Sequence, residues 1–313
     1  MKAIQIQQFG SAEQLKLTEL PKPELKPGEV LVRNRAAGIN PIDWKTCSGG
    51  GAAPFIGDLP FIPGWEFAGT VEAVADDVTE FSAGDEVFGF INFPHRAGCF
   101  AEYVAAPVSQ ISHRPQELPV TEASGLGLAG LTAWQALFSK GQLKPDQQLL
   151  VLAGAGGVGH LAVQLGKWIG ARVIATASAQ NHDFVKSLGA DIVVDYQQDS
   201  IARHVNNVDL VLDGVGGTTG IDALKCVKPR GTLITLPTVT KDEVIAAGEK
   251  LKVNVQPIRV EPNSRQLDQL AGLYADKKLR LSIAGTYPLE QVAQAFESSQ
   301  TGRTKGKLVL TID

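Results

Sequence analysis

LLVLAGAGGVGHLAVQLGKWIGARVIATAS, residues 149–178, decides the fold. An apolar run at 149–153 gives way to six loop residues, Gly154, Ala155, Gly156, Gly157, Val158 and Gly159. Leu161, Leu165 and Ile169 then recur at i, i+4 and i+8, the spacing of one helical face. A second apolar run follows at 172–176. Gly154-x-Gly156-x-x-Gly159 between a strand and an amphipathic helix is the pattern of a dinucleotide pyrophosphate site. The first glycine permits a tight turn, the second leaves room for backbone amides to approach the pyrophosphate, and the third lets the helix pack closely on the strand. The loop amides and the helix dipole then hold the negative charge. The alternative is a glycine-rich turn with no ligand.

The second run ends without a carboxylate. An Asp or Glu roughly 20 residues past the loop would accept hydrogen bonds from a ribose 2′-hydroxyl and would repel a 2′-phosphate. Here the positions read Ala177-Ser178-Ala179-Gln180-Asn181-His182. The Ser178 hydroxyl, an amide and the His182 imidazole are all compatible with a phosphate, so the expected cofactor is NADP(H) rather than NAD(H). His182 also reads as an idle surface residue, and no Arg or Lys lies between Ser178 and Asp183.

The rest of the chain narrows the class. At 44% hydrophobic and 20% charged residues, the 313-residue chain has a real core and room for two domains. A net charge of -4 carries no basic signature of nucleic-acid binding. Cys47, Cys99 and Cys226 are odd in number and far apart, which argues for a reducing compartment. The opening MKAIQIQQFG has no long apolar run, and glycines with His160 break the longest apolar stretch well short of a membrane span. The expectation is a cytoplasmic protein with no nucleic-acid or membrane partner.

Two textures divide the sequence. Up to about residue 118, short β-like runs (2–7, 29–37, 68–74, 86–90, 100–107) alternate with turn residues, as in a β-rich domain. Beyond it, apolar runs at 149–153, 172–176, 192–194, 210–212 and 232–236 alternate with helical patterns, which predicts a parallel sheet with helices on both faces. After residue 260 come a helix (264–274), a strand (281–283), a helix (289–298) and a last strand (307–312).

The segments AAGINPIDWK (36–45), PGWEFAGTVEAVADDVTEFSAGDEVFGF (63–90), GCFAEYV (98–104), GLTAWQAL (130–137), AGAGGVG (153–159), SLGADIVVDY (187–196), VDLVLDGVGG (208–217), PRGTLITL (229–236) and GKLVL (306–310) carry a likeness over nearly the whole chain. It resembles the zinc-free quinone oxidoreductase branch of the medium-chain dehydrogenase/reductase superfamily. The resemblance implies an α/β protein. A GroES-like β-rich domain (1–118 and 260–313) would accompany a Rossmann domain with a doubly wound parallel sheet (119–259), with the cofactor in the cleft between them. It further implies a dimer or tetramer, the homodimer being the expected form, with 254–260 the candidate strand for pairing across subunits. The zinc-dependent branch has ligands where this chain has Asn40, Trp65 and Leu128, so no metal is expected.

Without a metal, the substrate must already be electrophilic: a quinone or an α,β-unsaturated carbonyl, whose developing oxyanion is stabilised by hydrogen-bond donors. By resemblance, Asn40 contacts cofactor or substrate, and otherwise is a turn amide before Pro41. Lys45 is either an oxyanion donor or a solvated lysine. Thr132 lies beside the nicotinamide or is a helix-interior threonine. Asp43 is expected to cap a helix opening at Trp44, Trp65 to fill the vacated metal space, and Glu66 to be a structural hydrogen-bonding residue. Tyr196 falls near the adenosine phosphate or simply packs as a strand-end aromatic, Gly214 and Val215 face a ribose, and Leu236 and Pro237 lie near the nicotinamide. Lys307 reaches the phosphates or the dinucleotide cleft, or sits on the surface. The competing activities are an enoyl-thioester reductase and a non-catalytic NADPH-binding sensor.

Overall fold

The computed structural model describes residues 1–198 and 200–313, and the chain forms two compact units. Unit 1 comprises Met1–Leu131, Glu261–Lys277 and Leu281–Asp313; unit 2 comprises Thr132–Val260 and Lys278–Arg280.

Unit 1 opens with strands β1 (Lys2–Ile6), β2 (Leu15–Glu19) and β3 (Glu29–Ile39), then helix α1 (Pro41–Cys47). Strands β4 (Glu66–Val74), β5 (Glu86–Phe90), β6 (Tyr103–Pro107) and β7 (Ile111–His113) follow. Helix α2 (Val120–Trp134) begins two residues past the expected boundary at 118, and the units divide inside it, between Leu131 and Thr132.

Unit 2 alternates strand and helix. Its elements are β8 (Gln148–Val151), α3 (Gly159–Trp168), β9 (Arg172–Ala177), α4 (His182–Ser187), β10 (Ile192–Asp195) and β11 (Val208–Asp213). They continue as α5 (Gly217–Ala223), β12 (Val227–Thr235), α6 (Lys241–Leu251) and β13 (Asn254–Pro257). The chain returns to unit 1 as α7 (Ser264–Ala275), β14 (Ile283–Pro288), α8 (Val292–Gln300) and β15 (Lys307–Thr311).

In unit 1, β14-β15-β3-β4-β5-β7 form one sheet, with β6 also paired to β3. The β14–β15 pair is parallel and every other pair in this sheet is antiparallel. The C-terminal β15 therefore lies against β3, with Leu308 opposite Ile39. Val30, Val32, Phe67, Val71, Val87 and Ile111 alternate inward from these strands to make a core. The strand expected at 281–283 is displaced to 283–288: Ser282 is held by its carbonyl, which accepts the N–H of Lys307, and pairing runs onward from Ile283.

In unit 2 the order is β10-β9-β8-β11-β12-β13, and all five pairings are parallel. This is the doubly wound order, which reverses between β8 and β11. Its strands read as continuous apolar runs because both faces are covered: Leu150, Val211, Leu233 and Ile174 are buried in one cluster with Ala223, Leu224 and Val244 from the helical side. Lys278–Arg280 joins this unit because the Gln164 side chain acts as a backbone mimic. Its Oε1 accepts the Arg280 N–H at 2.9 Å and its Nε2 donates to the Arg280 carbonyl at 3.0 Å.

No helix among the described residues is long and apolar enough to cross a membrane. All three cysteines are free and buried.

Candidate functional site

The glycine loop of unit 2 leaves β8 and enters α3 through a turn whose left-handed residue is Ala153, at φ +55°. The first glycine of the motif was expected to supply that freedom. It supplies space instead: a Cβ on Gly154 would come 2.8 Å from the Ala175 Cβ. Ala153 is held in its unfavourable conformation by Thr176, whose hydroxyl accepts the Ala153 N–H at 3.1 Å and whose carbonyl accepts the Gly154 N–H at 2.8 Å. Gly159 is the close-packing glycine: a Cβ there would sit 2.1 Å from the Ala153 carbonyl oxygen. Gly156 is less confined: a Cβ there would lie 3.3 Å from that same oxygen, a tight contact rather than a clash.

Among the described residues, the amides of Ala155, Gly157 and Val158 have no acceptor, and they lie at the start of the ten-residue α3. His160, fully buried, closes the turn from below, its Nδ1 donating to the Gly156 carbonyl at 2.9 Å. Open amides at a helix start beside a residue without a side chain make an anion cradle.

Strand register places the other expected residues on the same edge. Ala177 pairs with Asp195, so Ser178 and Tyr196 leave their strands side by side. Leu212 pairs with Val151 and Asp213 with Thr235, so Gly214 and Leu236 emerge level with the glycine loop. Tyr196 is 51% exposed, Val215 46% and Val239 85%. These three large exposed apolar residues all follow the carboxyl ends of parallel strands, where ligands of such sheets bind. Val239 was not anticipated, because a lone valine in a polar loop carries no pattern.

Ser178, Asn181 and His182 share one turn: Asn181 Nδ2 donates to Ser178 Oγ at 3.2 Å, and His182 Nε2 lies 3.3 Å from the Ala177 carbonyl. Asp195 spends its carboxylate on the Gln197 N–H and the Gln198 amide, both within its own turn. Thr132 is buried at the start of unit 2.

Unit 1 carries the second group, which gathers around Lys307. The surface alternative for this lysine does not hold, and its ammonium has no hydrogen free for a phosphate. Its side chain is 3% exposed, and Nζ donates to Asn40 Oδ1 (2.5 Å), Glu66 Oε1 (2.9 Å) and the Ile39 carbonyl (3.0 Å). An ammonium has three hydrogens, so none is left over. Pairing of β15 with β3 turns residue 307 inward, and the buried Glu66 compensates its charge.

The same contacts settle the Asn40 amide. Ammonium only donates and carboxylate only accepts, so Oδ1 faces Lys307 while Nδ2 donates to Glu66 Oε1 at 2.7 Å. One Nδ2 hydrogen keeps no acceptor among the described residues. Glu66 Oε2 accepts the Leu128 N–H at 2.7 Å.

Helix α1 opens at Pro41, three residues before the expected Trp44, because Asn40 is its N-cap and Pro at the first position is preorganised. Asp43 is then the third residue, and its Oδ2 accepts the Asn40 N–H at 2.6 Å. Trp65 fills core space as expected, with Nε1 bonded to the His95 carbonyl at 2.7 Å. Lys45 is half-buried, 5.3 Å from the Trp44 ring centroid.

Burial pushes the Asp43 carboxyl up to about 8; the Asn40 N–H and the Lys307 charge oppose the rise and the Glu66 charge adds to it. Burial also raises the Cys47 and Cys99 thiols, which keeps both protonated and unreactive.

Among the described residues no three His, Cys, Asp or Glu side chains gather as a metal site. Asn40, Trp65 and Leu128 do not fit zinc: the carboxamide oxygen is already bonded to an ammonium, the indole N–H only donates, and leucine has no ligand atom.

A family description of the alcohol dehydrogenase GroES-like domain matches residues 26–116, and one of zinc-binding dehydrogenases matches 188–310. The chain is 33% identical over 320 residues to a 2-methylene-furan-3-one reductase of Solanum lycopersicum, covering 99% of this chain and 79% of the relative. The solved quinone oxidoreductase of Coxiella burnetii superposes with a TM-score of 0.95 at 38% identity, over 100% of this chain and 99% of that one. A mycobacterial protein solved in complex with NADPH gives a TM-score of 0.84 at 32% identity, over 99% and 100% of the two chains.

The loop geometry and the buried Asp43 each have a measurable consequence. Gly159→Ala costs ~2–4 kcal/mol of stability because its methyl meets fixed backbone. Gly156→Ala stays within ~1 kcal/mol of wild type, since its φ is ordinary, yet weakens dinucleotide binding at least tenfold; thermal unfolding and titration check the pair. Asp43 sets a pH dependence. It holds its proton in the folded protein to about 8, whereas an unfolded Asp loses it near 3.9. The folded state thus binds the extra proton between those values, and stability falls as pH rises through that window, levelling off above it. Asp43→Asn removes the dependence, so the variant gains on wild type by on the order of a few kcal/mol between pH 4 and 8, read from urea midpoints. A constant difference across that range contradicts the assignment.

Proposed function

Since the chain belongs to the quinone oxidoreductase branch of the medium-chain dehydrogenase/reductase superfamily and is an NAD(P)H-dependent oxidoreductase, we propose that it uses NADPH to reduce quinones or α,β-unsaturated carbonyls without zinc. The observation that carries the reading is the row of open amides at Ala155, Gly157 and Val158 beside side-chain-free Gly156. These amides bind the diphosphate. Ser178, Asn181 and His182 receive a 2′-phosphate where no carboxylate opposes it. Tyr196, Val215, Leu236 and Val239 give the dinucleotide apolar edges to lie against. The bound dinucleotide supplies a hydride.

With no zinc ligands to polarise an alcohol or a plain carbonyl, the substrate must be an acceptor whose reduction is driven by its own electron deficiency. Negative charge then collects on its oxygen and needs a donor. The candidate donors, as the family resemblance assigns them, are the spare Nδ2 hydrogen of Asn40, held in orientation by Lys307 and Glu66, and the half-buried Lys45 ammonium. Both kinds of acceptor occur in the names of the relatives, a furanone reductase and quinone oxidoreductases.

We also read the protein as a cytoplasmic homodimer. β13 is the last strand of its sheet, with one side unpaired among the described residues. An exposed sheet edge is a pairing surface, and Leu251, 48% exposed, lies just before it.

The activity is tested by following NADPH absorbance with ortho-quinones, simple enones and enoyl thioesters. Turnover of the first two, with a Michaelis constant for NADPH at least tenfold below that for NADH, is expected. Ser178→Asp should erase that preference. Turnover of enoyl thioesters alone indicates a thioester reductase, and tight NADPH binding without any turnover indicates a sensor; either outcome contradicts the proposal. For assembly, sedimentation should give twice the 33.2 kDa chain mass, and a monomer at micromolar concentration contradicts the dimer.

A further inference from the structure

We propose that Asp213 is the positioning residue of the dinucleotide site: its buried carboxylate holds the turn after β11 and the start of the loop after β12 in their binding geometry. The inference rests on the dinucleotide reading above.

Asp213 is the last residue of β11 and is fully buried. Its Oδ1 accepts the Gly216 N–H at 2.7 Å and the Val215 N–H at 3.0 Å. Its Oδ2 accepts the Thr235 hydroxyl at 3.0 Å. Its own carbonyl accepts the Leu236 N–H at 2.9 Å. One residue therefore ties the turn at 214–216 to the end of β12. All of these donors are neutral, and among the described residues no cation bonds to the carboxylate. A buried carboxylate is tolerable on such terms only when donors fill its lone pairs, and here three do.

The surrounding glycines are matched to it. A Cβ on Gly220 would come 2.5 Å from Asp213 Oδ2. Gly216 stands at φ +76°, and a Cβ there would lie 2.1 Å from Thr240 Oγ1, at the foot of α6. The turn is thus shaped from inside by the carboxylate and from outside by the next loop.

Its place in the sheet gives this arrangement a purpose. The strand order reverses between β8 and β11, and ligands of open α/β sheets bind outside the carboxyl ends of the strands at that point. The glycine loop ends β8, and the Asp213 turn ends β11. Asp213 itself points into the protein. The residues it holds, Gly214 and the half-exposed Val215, stand level with the glycine loop. Two backbone amides that would otherwise compete for the ligand are consumed in fixing the shape, so the turn is set before any ligand arrives.

Asparagine can reproduce most of this. Its Oδ1 would accept both amides, and its Nδ2 would donate to Thr235, whose hydroxyl accepts as readily as it donates. Alanine can reproduce none of it. Titration of NADPH by fluorescence therefore separates positioning from bulk stability. Asp213→Ala should weaken binding tenfold or more, Asp213→Asn should stay within threefold of wild type, and Leu224→Ala, a core truncation in the same unit, should lower the melting temperature while leaving the Kd within threefold. Folded Asp213→Ala that binds within threefold of wild type overturns the inference, as does Asp213→Asn that is as weak as alanine.

Hydrogen exchange on the wild-type protein needs no variant to fold. The Val215 and Gly216 amides should exchange slowly without NADPH, and rapid exchange there overturns the inference. If the wild-type protein binds no NADPH, the functional reading itself fails; wild-type binding that Asp213→Ala leaves intact sinks only the role of Asp213.

Discussion

Unit 2 depends on one close approach. Helix α3 crosses the end of β8 so tightly that a methyl at position 159 would lie 2.1 Å from the Ala153 oxygen and 3.0 Å from the Gly154 Cα. Only glycine allows that crossing. Because the helix starts there, its first amides open at the carboxyl edge of the sheet instead of being covered by the preceding strand. Ala153 accepts a left-handed backbone to make the turn, and Thr176 from β9 holds it there with two hydrogen bonds. The parallel register then lines up Ser178, Tyr196, Gly214 and Leu236 along the same edge.

Unit 1 is organised by charge rather than by a turn. Lys307 and Glu66 form a buried ion pair whose spare hydrogen-bonding capacity is taken up by Asn40, the Ile39 carbonyl and the Leu128 N–H. A buried pair so completely satisfied costs little to keep and ~3–5 kcal/mol to break by removing one partner. It also dictates which way the Asn40 amide faces. Asp43, a second carboxyl in the same region, stays neutral because Lys307 is already matched by Glu66 and burial disfavours another charge.

How much of this the sequence disclosed depended on whether a feature repeats or is singular. Strands and helices of unit 2 were legible because apolar runs and helical spacing recur across a dozen residues. Glycines at 154, 156 and 159 were legible because that spacing, set between a strand and a helix, seldom serves anything but a phosphate loop. Ala153 was not: nothing about an alanine signals a positive φ, and only the approach of Thr176 produces it. The short strands β2 and β7 escaped notice, since five mostly exposed residues and a three-residue run are too brief to show alternation. The surface alternative for Lys307 arose because lysine is almost never fully buried. Its true position follows from pairing with β3, a partner more than 260 residues away. Asp213 lay in a quoted motif without a role, since an aspartate ending a strand looks the same whether it faces solvent or folds inward onto its own turn.

Calorimetric titration of NADPH into the wild-type protein tests the dinucleotide site most directly. One dinucleotide per chain with a micromolar or tighter Kd, weakened at least tenfold when NADH replaces NADPH, is the predicted result. Absence of heat at millimolar NADPH, or equal affinity for the two dinucleotides, would contradict it.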